Sequence, residues 1–415
     1  MEIYEKLLKD QELNLKKLLT IGSIMEDVPT AVIAIRNLNK TTGAARIALQ
    51  QISILKNLGY HVTIICEKIN KETIVPYGVD LKIIKKIPLS SYIRRLWFSK
   101  RANAWCQNNK PSLIISHGDM ENANIIFMHN CVDLAQEIIY PKSTQQQKSV
   151  SKIHNKVLRK GSYQHVVANS QLMANDLTTR YDIPAQKISI SYPGFDAHQF
   201  NAFKKSIFRQ KKRDELGIKQ EEKLIGLITS GDFKKRNLDF FIEISRDLVN
   251  TTNALYRFLV IGQGEIEAYK EKAVRLGVDQ YFIWKKTVPE VEHYYAALDL
   301  FVLPAHIEEF GCVILEAMAC STLTLMSERV GAGELLKGEL RNLIVKGYLS
   351  EQWAEKIESL MLKDNAFINN QLVETASHYT YEYQYQALQA LISAHLNVNI
   401  KDDICSFHSE KSKNK

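Results

Sequence analysis

Short apolar runs, each followed by a loop and a helix-forming segment, recur along most of the chain. The first unit starts with the run Thr30–Ile35, continues through a loop that ends at Gly43 and a helical segment at residues 44–58, and closes with the run His61–Cys66. Apolar runs without polar alternation are typical of strands that are buried on both faces. Because parallel strands need a crossing connection, usually a helix, this order predicts a doubly wound parallel sheet.

The same alternation occurs in both halves of the chain and predicts two domains. Further strand-like runs lie at residues 79–84, 112–115, 124–127 and 165–168 in the first half, and at 224–229, 257–261, 280–284, 298–303, 322–325 and 342–345 in the second. A chain of 415 residues also exceeds the size of one ordinary core. We therefore expect an α/β protein of two Rossmann-like domains, residues 29–202 and 203–380, with a cleft between them.

Three polar or amphipathic segments accompany these domains. Residues 1–28 repeat apolar positions at helical spacing between lysines, which predicts an amphipathic helical extension. Residues 203–223 are rich in Lys, Arg, Gln and Glu and predict an interdomain linker with an exposed helix. Residues 399–415 are polar and lysine-rich, and we expect a disordered tail there.

Composition excludes several classes of protein. With 45% hydrophobic and 24% charged residues the chain is typical of soluble globular proteins. No apolar run approaches the roughly 20 residues that span a bilayer, and the first residues lack a signal peptide's apolar core, so a cytoplasmic location is expected. The six cysteines lack C-x-x-C spacing, which indicates neither a zinc site nor a disulfide framework. The net charge of +8 favours anionic partners, but no nucleic-acid motif accompanies it.

The segment Pro304–Ala319 combines a strand end, a short loop and the start of a helix. The first turn of such a helix presents N–H groups that have no partner inside the helix, which makes it an anion site. Glu308 and Glu316 flank this site, with seven residues between them. Carboxylates are poor ligands for phosphate but good acceptors for sugar hydroxyls. The pattern therefore indicates a ligand that carries both phosphate and polyol, such as a nucleotide sugar.

The sequence from Glu308 to Ala319, with Phe-Gly and Glu-Ala-Met-Ala in register, resembles the E-x7-E motif of the retaining GT-B glycosyltransferases of family 4. The resemblance covers roughly residues 30–396. It implies that Glu308 holds hydroxyls of the donor sugar as a catalytic residue and that Glu316 takes the ribose. It also implies that the amides around Phe310, Gly311 and Cys312 meet the phosphate and the sugar. A final helix at residues 381–398 is expected to cross back to the N-terminal domain.

The same resemblance implies a cation for the leaving phosphate. The family carries an Arg…Lys pair after the first strand of the second domain; here Arg236 aligns with the lysine, whereas Gly231 stands at the arginine position. Arg236 is therefore the candidate catalytic cation, with Lys235 as a further donor-binding residue. Lys234 is an alternative source of the missing charge, and the division of labour among the three stays open.

Two N-terminal landmarks of the family are also present. Gly43 and Arg46 stand in the place of a G-G-x-x-R loop, with Thr42 at the first glycine, and this implies contact with the donor phosphates and the acceptor. His129 matches a position where several family members carry a histidine near the acceptor, and it is the third catalytic candidate. A satisfied strand-end histidine is the alternative. The neighbouring strand end offers the weaker candidates His117 and Asp119.

The segment Ser90–Cys106 predicts a basic, aromatic helix. Such a helix suits peripheral contact with an anionic membrane, and the alternative is a docked helix with solvated charges. The residues that carry this prediction are Arg94, Arg95, Trp97, Phe98, Lys100, Arg101 and Trp105.

Together these features predict a metal-independent enzyme without a cofactor, a hexosyltransferase whose substrate is a nucleotide diphosphate sugar, most simply a UDP-sugar. The expected acceptor is a glycan or lipid-linked glycan of lipopolysaccharide core or another surface polysaccharide. An isomerase of the 2-epimerase type and a non-catalytic protein that binds nucleotide sugars are the alternatives. The base, the sugar, the linkage and the oligomeric state stay open.

Overall fold

The computed structural model describes residues 28–38, 42–141, 148–251 and 255–411, with side chains described up to residue 396. These residues form two α/β domains, each built around one larger parallel sheet. The predicted amphipathic extension at residues 1–28 lies outside the described residues except for Val28.

The N-terminal domain contains a parallel sheet with helices on its faces. Its strands are β1 (Thr30–Ala34), β2 (Asn37–Leu38), β3 (His61–Cys66), β4 (Lys68–Ile69), β5 (Asp80–Ile83), β6 (Leu113–Ser116), β7 (Ile125–Phe127), β8 (His165–Ala168) and β9 (Ile188–Ile190). Its helices are α1 (Gly43–Asn57), α2 (Ser91–Asn109), α3 (Val132–Ile139), α4 (Ser149–Lys160) and α5 (Gln171–Tyr181). Within the described residues the main sheet has seven strands in the order β5-β3-β1-β6-β7-β8-β9.

The C-terminal domain repeats this architecture. Its strands are β10 (Lys223–Ile228), β11 (Tyr256–Ile261), β12 (Phe282–Lys285), β13 (Leu300–Leu303), β14 (Leu323–Ser327) and β15 (Ile344–Val345). Its helices are α6 (Phe203–Glu215), α7 (Leu238–Thr251), α8 (Glu267–Arg275), α9 (Val291–Ala297), α10 (Cys312–Ala319), α11 (Ser350–Met361) and α12 (Ala366–Ser377). The described strands lie in the order β12-β11-β10-β13-β14-β15 and pair in parallel.

The predicted strands are confirmed in both domains, with ends that shift by up to two residues. Three short strands had no counterpart in the prediction: β9 at the edge of the N-terminal sheet, and the pair β2 and β4, which have two residues each. Segments this short carry too few residues for a period of two or 3.6 to be visible.

The segment at residues 203–223 packs against the C-terminal domain instead of acting as an exposed linker. Helix α6 places Arg209 and Arg213 on either side of Asp299, with nitrogen–oxygen distances of 2.6 and 3.0 Å. Arg213 is buried, and it also donates to the carbonyl oxygens of Lys219 and Glu222. Two of the basic residues that suggested a solvated segment, Arg209 and Arg213, therefore anchor α6 to the C-terminal domain.

The last helix, α13 (Tyr381–Lys411), crosses back to the N-terminal domain, as predicted. Leu388 and Ile392 are fully buried in the apolar core of that domain, together with residues of β1, β3 and α1. The helix continues past the predicted end at residue 398, and the backbone of residues 399–411 is helical where a disordered tail was expected. Neither proline nor glycine interrupts the sequence from Tyr381 to Lys411, so nothing local terminates the helix.

The two chain crossings between the domains contact each other at Gly194. Phe195 donates its N–H to the carbonyl oxygen of Tyr379 at 3.1 Å, and Tyr381 donates to the carbonyl oxygen of Phe195 at 2.8 Å. A Cβ atom at Gly194 would lie 2.5 Å from the carbonyl oxygen of Thr380, which is closer than real Cβ contacts. Glycine is therefore required here by close backbone approach.

We predict that Gly194→Ala lowers the free energy of unfolding by about 1–3 kcal/mol, because the added methyl group forces the two crossings apart. Denaturant unfolding of the full chain measures this change. Gly43→Ala is the matched control, since nothing lies within 4 Å of a Cβ atom at Gly43. Equal stability of the Gly194 variant and the wild type would contradict the prediction.

Candidate active site

The carboxyl edges of the two sheets face each other across the domain interface. Cys131, which follows β7, donates its backbone N–H to Oε1 of Glu309, which follows β13, at 3.0 Å. At the start of α5, Gln171 and Leu172 donate their N–H groups to the Glu334 carboxylate at 2.7 and 2.8 Å. Ligands of open parallel sheets bind at the carboxyl ends of the strands. The interface between the edges is therefore the candidate site.

Glu308 and Arg236, two of the predicted catalytic residues, contact each other in the structure. Nη2 of Arg236 is 2.5 Å from Oε2 of Glu308, and both side chains are largely buried. The geometry does not complete a hydrogen bond, so Glu308 Oε2 and Arg236 Nε are buried without a hydrogen-bond partner among the described residues. Burial raises the pKa of Glu308, and the Arg236 guanidinium opposes that rise. A polar ligand would satisfy both atoms.

Lys235 has a different partner from the one the sequence suggested. Its ammonium group forms a buried ion pair with Glu309, whose other oxygen accepts the N–H of Cys131. Lys234 is half-exposed and lies 3.4 Å from Asp239. Among these three basic residues, Arg236 is thus the one that contacts the motif acid Glu308, while Lys235 pairs with Glu309, the acid that accepts a bond across the interface.

The loop before α10 turns sharply at Gly311. Gly311 has a φ of +94°, in the left-handed region that favours glycine, and a Cβ atom there would lie 3.0 Å from Cγ of Glu308. The N–H groups of Gly311 and Val313 donate to no described residue. The start of α10 therefore offers free donors beside the Glu308 side chain.

The remaining motif residues divide between core and site. Phe310 is buried, with its ring centroid 5.8 Å from that of Tyr192, so its side chain supports the loop. Cys312 is partly exposed, and burial raises the pKa of its thiol to about 12, which keeps the thiol protonated. Glu316 accepts a hydrogen bond from the Tyr295 hydroxyl at 3.2 Å, and burial raises its pKa to about 6.

Arg46 reaches the same region from the N-terminal domain. Its Nη1 donates to the hydroxyl oxygen of Tyr381 at 2.6 Å, and its guanidinium charge acts to lower the pKa of Glu316 and of Cys312. Thr42, which stands at the first glycine of the family loop, caps α1 by accepting the N–H of Ala45 at 3.2 Å. Gly43 is exposed as the first residue of that helix.

His129 lies at the end of β7 in a chain of hydrogen bonds. Its Nε2 is 2.8 Å from Nδ1 of His117, and Nε2 of His117 is 3.0 Å from Oε1 of Gln51. Burial, together with the neighbouring His154, lowers the pKa of His129 to about 4. His129 is therefore neutral at physiological pH. The weaker candidate His117 is its direct partner, whereas Asp119 forms an ion pair with Arg95.

Three further residues make contacts at this interface that the sequence did not assign. Glu309 is the second of two adjacent acids, Glu334 follows a Gly-rich turn, and Tyr381 begins the returning helix. Glu309 and Glu334 accept N–H groups of the N-terminal domain, and Tyr381 accepts a bond from Arg46. The Glu-Glu and Gly-Ala-Gly-Glu sequences mark the first two, but their partners are more than 130 residues away in the chain.

The described part of the chain has neither a cluster of possible metal ligands nor a helix that could span a membrane. No group of three or more His, Cys, Asp or Glu side chains there is placed to hold a metal ion. Among the described helices, none combines the length and apolar character that crossing a bilayer requires.

Two family models match most of the chain. The model described as Glycosyltransferase Family 4 matches residues 41–199, and the model described as Glycosyl transferases group 1 matches residues 208–382. The gap between the two matches, residues 200–207, contains the start of α6. A D-inositol 3-phosphate glycosyltransferase of Segniliparus rotundus is 28% identical over 204 residues, which are 47% of this chain and 44% of that protein. The chain thus spans about half the length of the curated relatives it matches.

Solved structures share the fold at low sequence identity. WaaG, described as a glycosyltransferase involved in lipopolysaccharide biosynthesis, superposes with a TM-score of 0.67 at 17% identity, over 86% of this chain and 98% of WaaG. HepE of Anabaena, solved in complex with UDP-glucose, superposes with a TM-score of 0.64 at 16% identity, over 88% of this chain and 99% of HepE. The two-domain arrangement with a returning helix is therefore the GT-B fold.

The raised pKa of Glu316 predicts a stability change. Between pH 4.5 and 6 the folded state binds more protons than the unfolded state, so the free energy of unfolding falls as pH rises through this window. We predict that Glu316→Gln, which stays neutral and can still accept from Tyr295, raises the free energy of unfolding at pH 7 by up to about 2 kcal/mol. The gain should vanish near pH 4, and denaturant unfolding at both pH values measures it. A loss of stability at pH 7 would contradict the burial argument.

Proposed function

We propose that this chain, which belongs to the family 4 glycosyltransferases of GT-B fold, transfers a sugar from a nucleotide diphosphate sugar to a glycan acceptor with retention of anomeric configuration. One observation carries the proposal: acids, cations and free N–H donors from both domains converge on the start of α10. Glu308, Arg236 and Glu316 come from the C-terminal domain and Arg46 from the N-terminal domain. This is the set of groups that a molecule with both phosphates and hydroxyls requires.

Arg236 and the first turn of α10 stabilise the leaving diphosphate. Transfer builds negative charge on the β-phosphate and positive charge at the anomeric carbon, and preorganised cations and amide donors lower the energy of that charge separation. In the structure the guanidinium of Arg236 contacts Glu308. A diphosphate provides Arg236 with a second anion and leaves the Glu308 carboxylate to accept bonds from sugar hydroxyls. Glu316 accepts bonds from the ribose.

His129 and Arg46 face the acceptor side. Arg46 is held between α1 and the first residue of α13, and His129 ends a strand of the N-terminal sheet. A neutral imidazole accepts a hydrogen bond from a sugar hydroxyl without adding charge to the site. The UDP-glucose complex of HepE supports a UDP-sugar as the donor.

We predict that Glu308→Ala and Arg236→Ala each lower kcat by on the order of a hundredfold, because each removes a group that stabilises or orients the transition state. Lys234→Ala is the neighbouring control and should stay within about threefold, since Lys234 is half-exposed. The measurement is release of nucleoside diphosphate from a panel of nucleotide sugars, with and without glycan acceptors. Thermal unfolding of each variant separates lost activity from lost fold.

The same panel tests the function itself. Slow release of nucleoside diphosphate and sugar transfer support a transferase. Interconversion of one nucleotide sugar into another without release would replace the proposal with an epimerase, and binding without either reaction would replace it with a sensor. Wild-type turnover by Glu308→Ala at saturating donor would mean that the motif assignment is wrong.

The acceptor is proposed to be presented at an anionic membrane, as a lipid-linked or lipopolysaccharide-type glycan. The structure changes which residues support this proposal. Phe98 is fully buried, Arg95 pairs with Asp119, and the indole N–H of Trp97 donates to the carbonyl oxygen of Lys85 at 3.3 Å. Phe98 and Arg95 therefore hold the helix against the domain, and the indole N–H of Trp97 is bonded to neighbouring backbone.

The exposed residues of β5, of the segment that follows it and of α2 are a different set, which we call the basic apolar surface. Its apolar members are between 43% and 52% exposed, and its lysines and arginine are exposed as well. An exposed mixture of large apolar and basic side chains suits the headgroup region of an anionic bilayer. The members are Ile83, Leu89, Ile93, Lys82, Lys85, Lys86, Lys100 and Arg101.

We predict that the protein floats with vesicles containing phosphatidylglycerol and is released at high salt, since each basic residue near such a surface contributes about 1 kcal/mol. Reversing the charge of Lys82, Lys85 and Lys86 to Glu should abolish flotation. The same reversal at Lys337, Lys346 and Lys363, exposed residues of the C-terminal domain, is the matched control and should retain it. Equal flotation with neutral vesicles would contradict the electrostatic basis of the contact. No flotation with either kind of vesicle would favour an acceptor that is not presented at a membrane, such as the one named for the inositol phosphate relatives.

A further inference from the structure

We infer that Gln51 and His117 are positioning residues that hold His129 in one neutral tautomer, with Nε2 protonated and Nδ1 left to accept a hydrogen bond from a hydroxyl in the cleft. This inference rests on the proposed function for its catalytic meaning. Its structural content, the tautomer of His129, is independent of that function.

The three side chains come from three separate elements. Gln51 lies inside α1, His117 directly follows β6, and His129 lies two residues after β7. Gln51 is fully buried and His117 is 8% exposed. The rings of His117 and His129 stack with their centroids 5.0 Å apart, and His117 also stacks on Phe127. A buried polar chain of this kind is costly unless its members bond one another, so it needs a reason to be present.

Counting protons along the chain gives the tautomer. The Gln51 amide places Oε1 3.0 Å from Nε2 of His117, and in this orientation Gln51 Nε2 is buried without a partner among the described residues. An amide oxygen can only accept, so with this orientation His117 donates through Nε2. A neutral His117 that carries its proton on Nε2 has a bare Nδ1, which accepts. His129 then donates through Nε2 across the 2.8 Å contact, and its own Nδ1 is bare. Among the described residues, Nδ1 of His129 has no hydrogen-bond partner.

The surroundings keep both rings neutral. Burial lowers the pKa of His117 and of His129, and each is lowered further by another histidine, His129 and His154 respectively. His154 comes from α4, and Gly118, with a φ of +88°, lets its Nε2 approach to 3.0 Å from the position of a Cβ atom. The charged groups on the far side of His154 are Arg95, Asp119 and Asp133, and their effects on its pKa oppose one another. A carboxylate would favour a charged imidazole, but neither Asp119 nor Asp133 is among the groups that shift the pKa of His129.

The chemical consequence is that His129 acts as an acceptor. A bare Nδ1 can bind a hydroxyl hydrogen of the donor sugar or of the acceptor, whereas a protonated Nδ1 would repel it. The Gln51 amide, more than 70 residues away in the chain, selects between these two states. An amide turned by half a rotation would donate through Nε2 and reverse every bond in the chain.

The test measures the tautomer directly. Long-range proton–nitrogen NMR correlations of histidine-labelled full-length protein distinguish a protonated from a bare ring nitrogen, and His129→Gln assigns the signals. We expect Nδ1 of His129 bare and Nε2 protonated, and a mixture of both tautomers in Gln51→Met, which keeps the length of the side chain without its acceptor. A protonated Nδ1 in the wild type, or no change in Gln51→Met, would overturn the inference.

Kinetics then separate positioning from packing. His117→Asn places an amide oxygen near the former Nδ1 and should keep kcat within about threefold, whereas His117→Leu fills the volume without an acceptor and should lower kcat about tenfold. If His117 has a purely structural role, His117→Leu is tolerated at least as well as His117→Asn, and that result would overturn the inference that His117 positions His129. If the tautomer is as expected but His129→Gln keeps wild-type turnover, the inference about the hydrogen-bond chain stands and the role of His129 in the proposed function fails.

Discussion

Three consecutive residues after β13 connect the two halves of this protein, and most of the site depends on them. Ile307 is fully buried in an apolar cluster of the N-terminal domain, although it belongs to the chain of the C-terminal domain. The Glu308 carboxylate contacts the guanidinium of Arg236. The Glu309 carboxylate pairs with Lys235 and accepts the N–H of Cys131. Two adjacent acids thus meet two adjacent bases. The apolar side chain anchors the loop, and the acids fix its direction.

The four charged side chains of this arrangement are largely buried from solvent. Burial raises the pKa of both motif acids, Glu308 and Glu316, because a carboxylate loses hydration that the protein only partly replaces. Arg236 and Arg46 offset that cost from opposite domains. Buried polar atoms of Glu308 and Arg236 still lack hydrogen-bond partners among the described residues. A ligand with phosphates and hydroxyls would supply these missing hydrogen-bond partners. Without a ligand, the site is less stable than a fully hydrogen-bonded one.

The returning helix and the neutral histidines determine which polar groups the N-terminal domain presents to the cleft. Helix α13 packs Leu388 and Ile392 into the N-terminal core and thereby places Tyr381 against Arg46. Across the same domain, burial keeps His117 and His129 uncharged, which leaves hydrogen bonding as their main interaction with a ligand. The side of the cleft formed by the C-terminal domain is therefore rich in charge, and the side formed by the N-terminal domain combines Arg46 with neutral imidazoles.

The fold class, the two sheets and the place of Glu308 before a helix start follow from local patterns in the sequence, since continuous apolar runs specify buried strands. The returning helix was implied by the resemblance to the family. The partners of the charged side chains depend on the tertiary structure. Lys235 and Arg236 are neighbours of equal sign in the sequence, yet Lys235 pairs with Glu309 and Arg236 contacts the motif acid Glu308. Phe98 and Trp97 are adjacent aromatic residues, but of the two only Phe98 is fully buried. Which way a side chain points depends on packing between elements distant in the chain, and no local period encodes that packing.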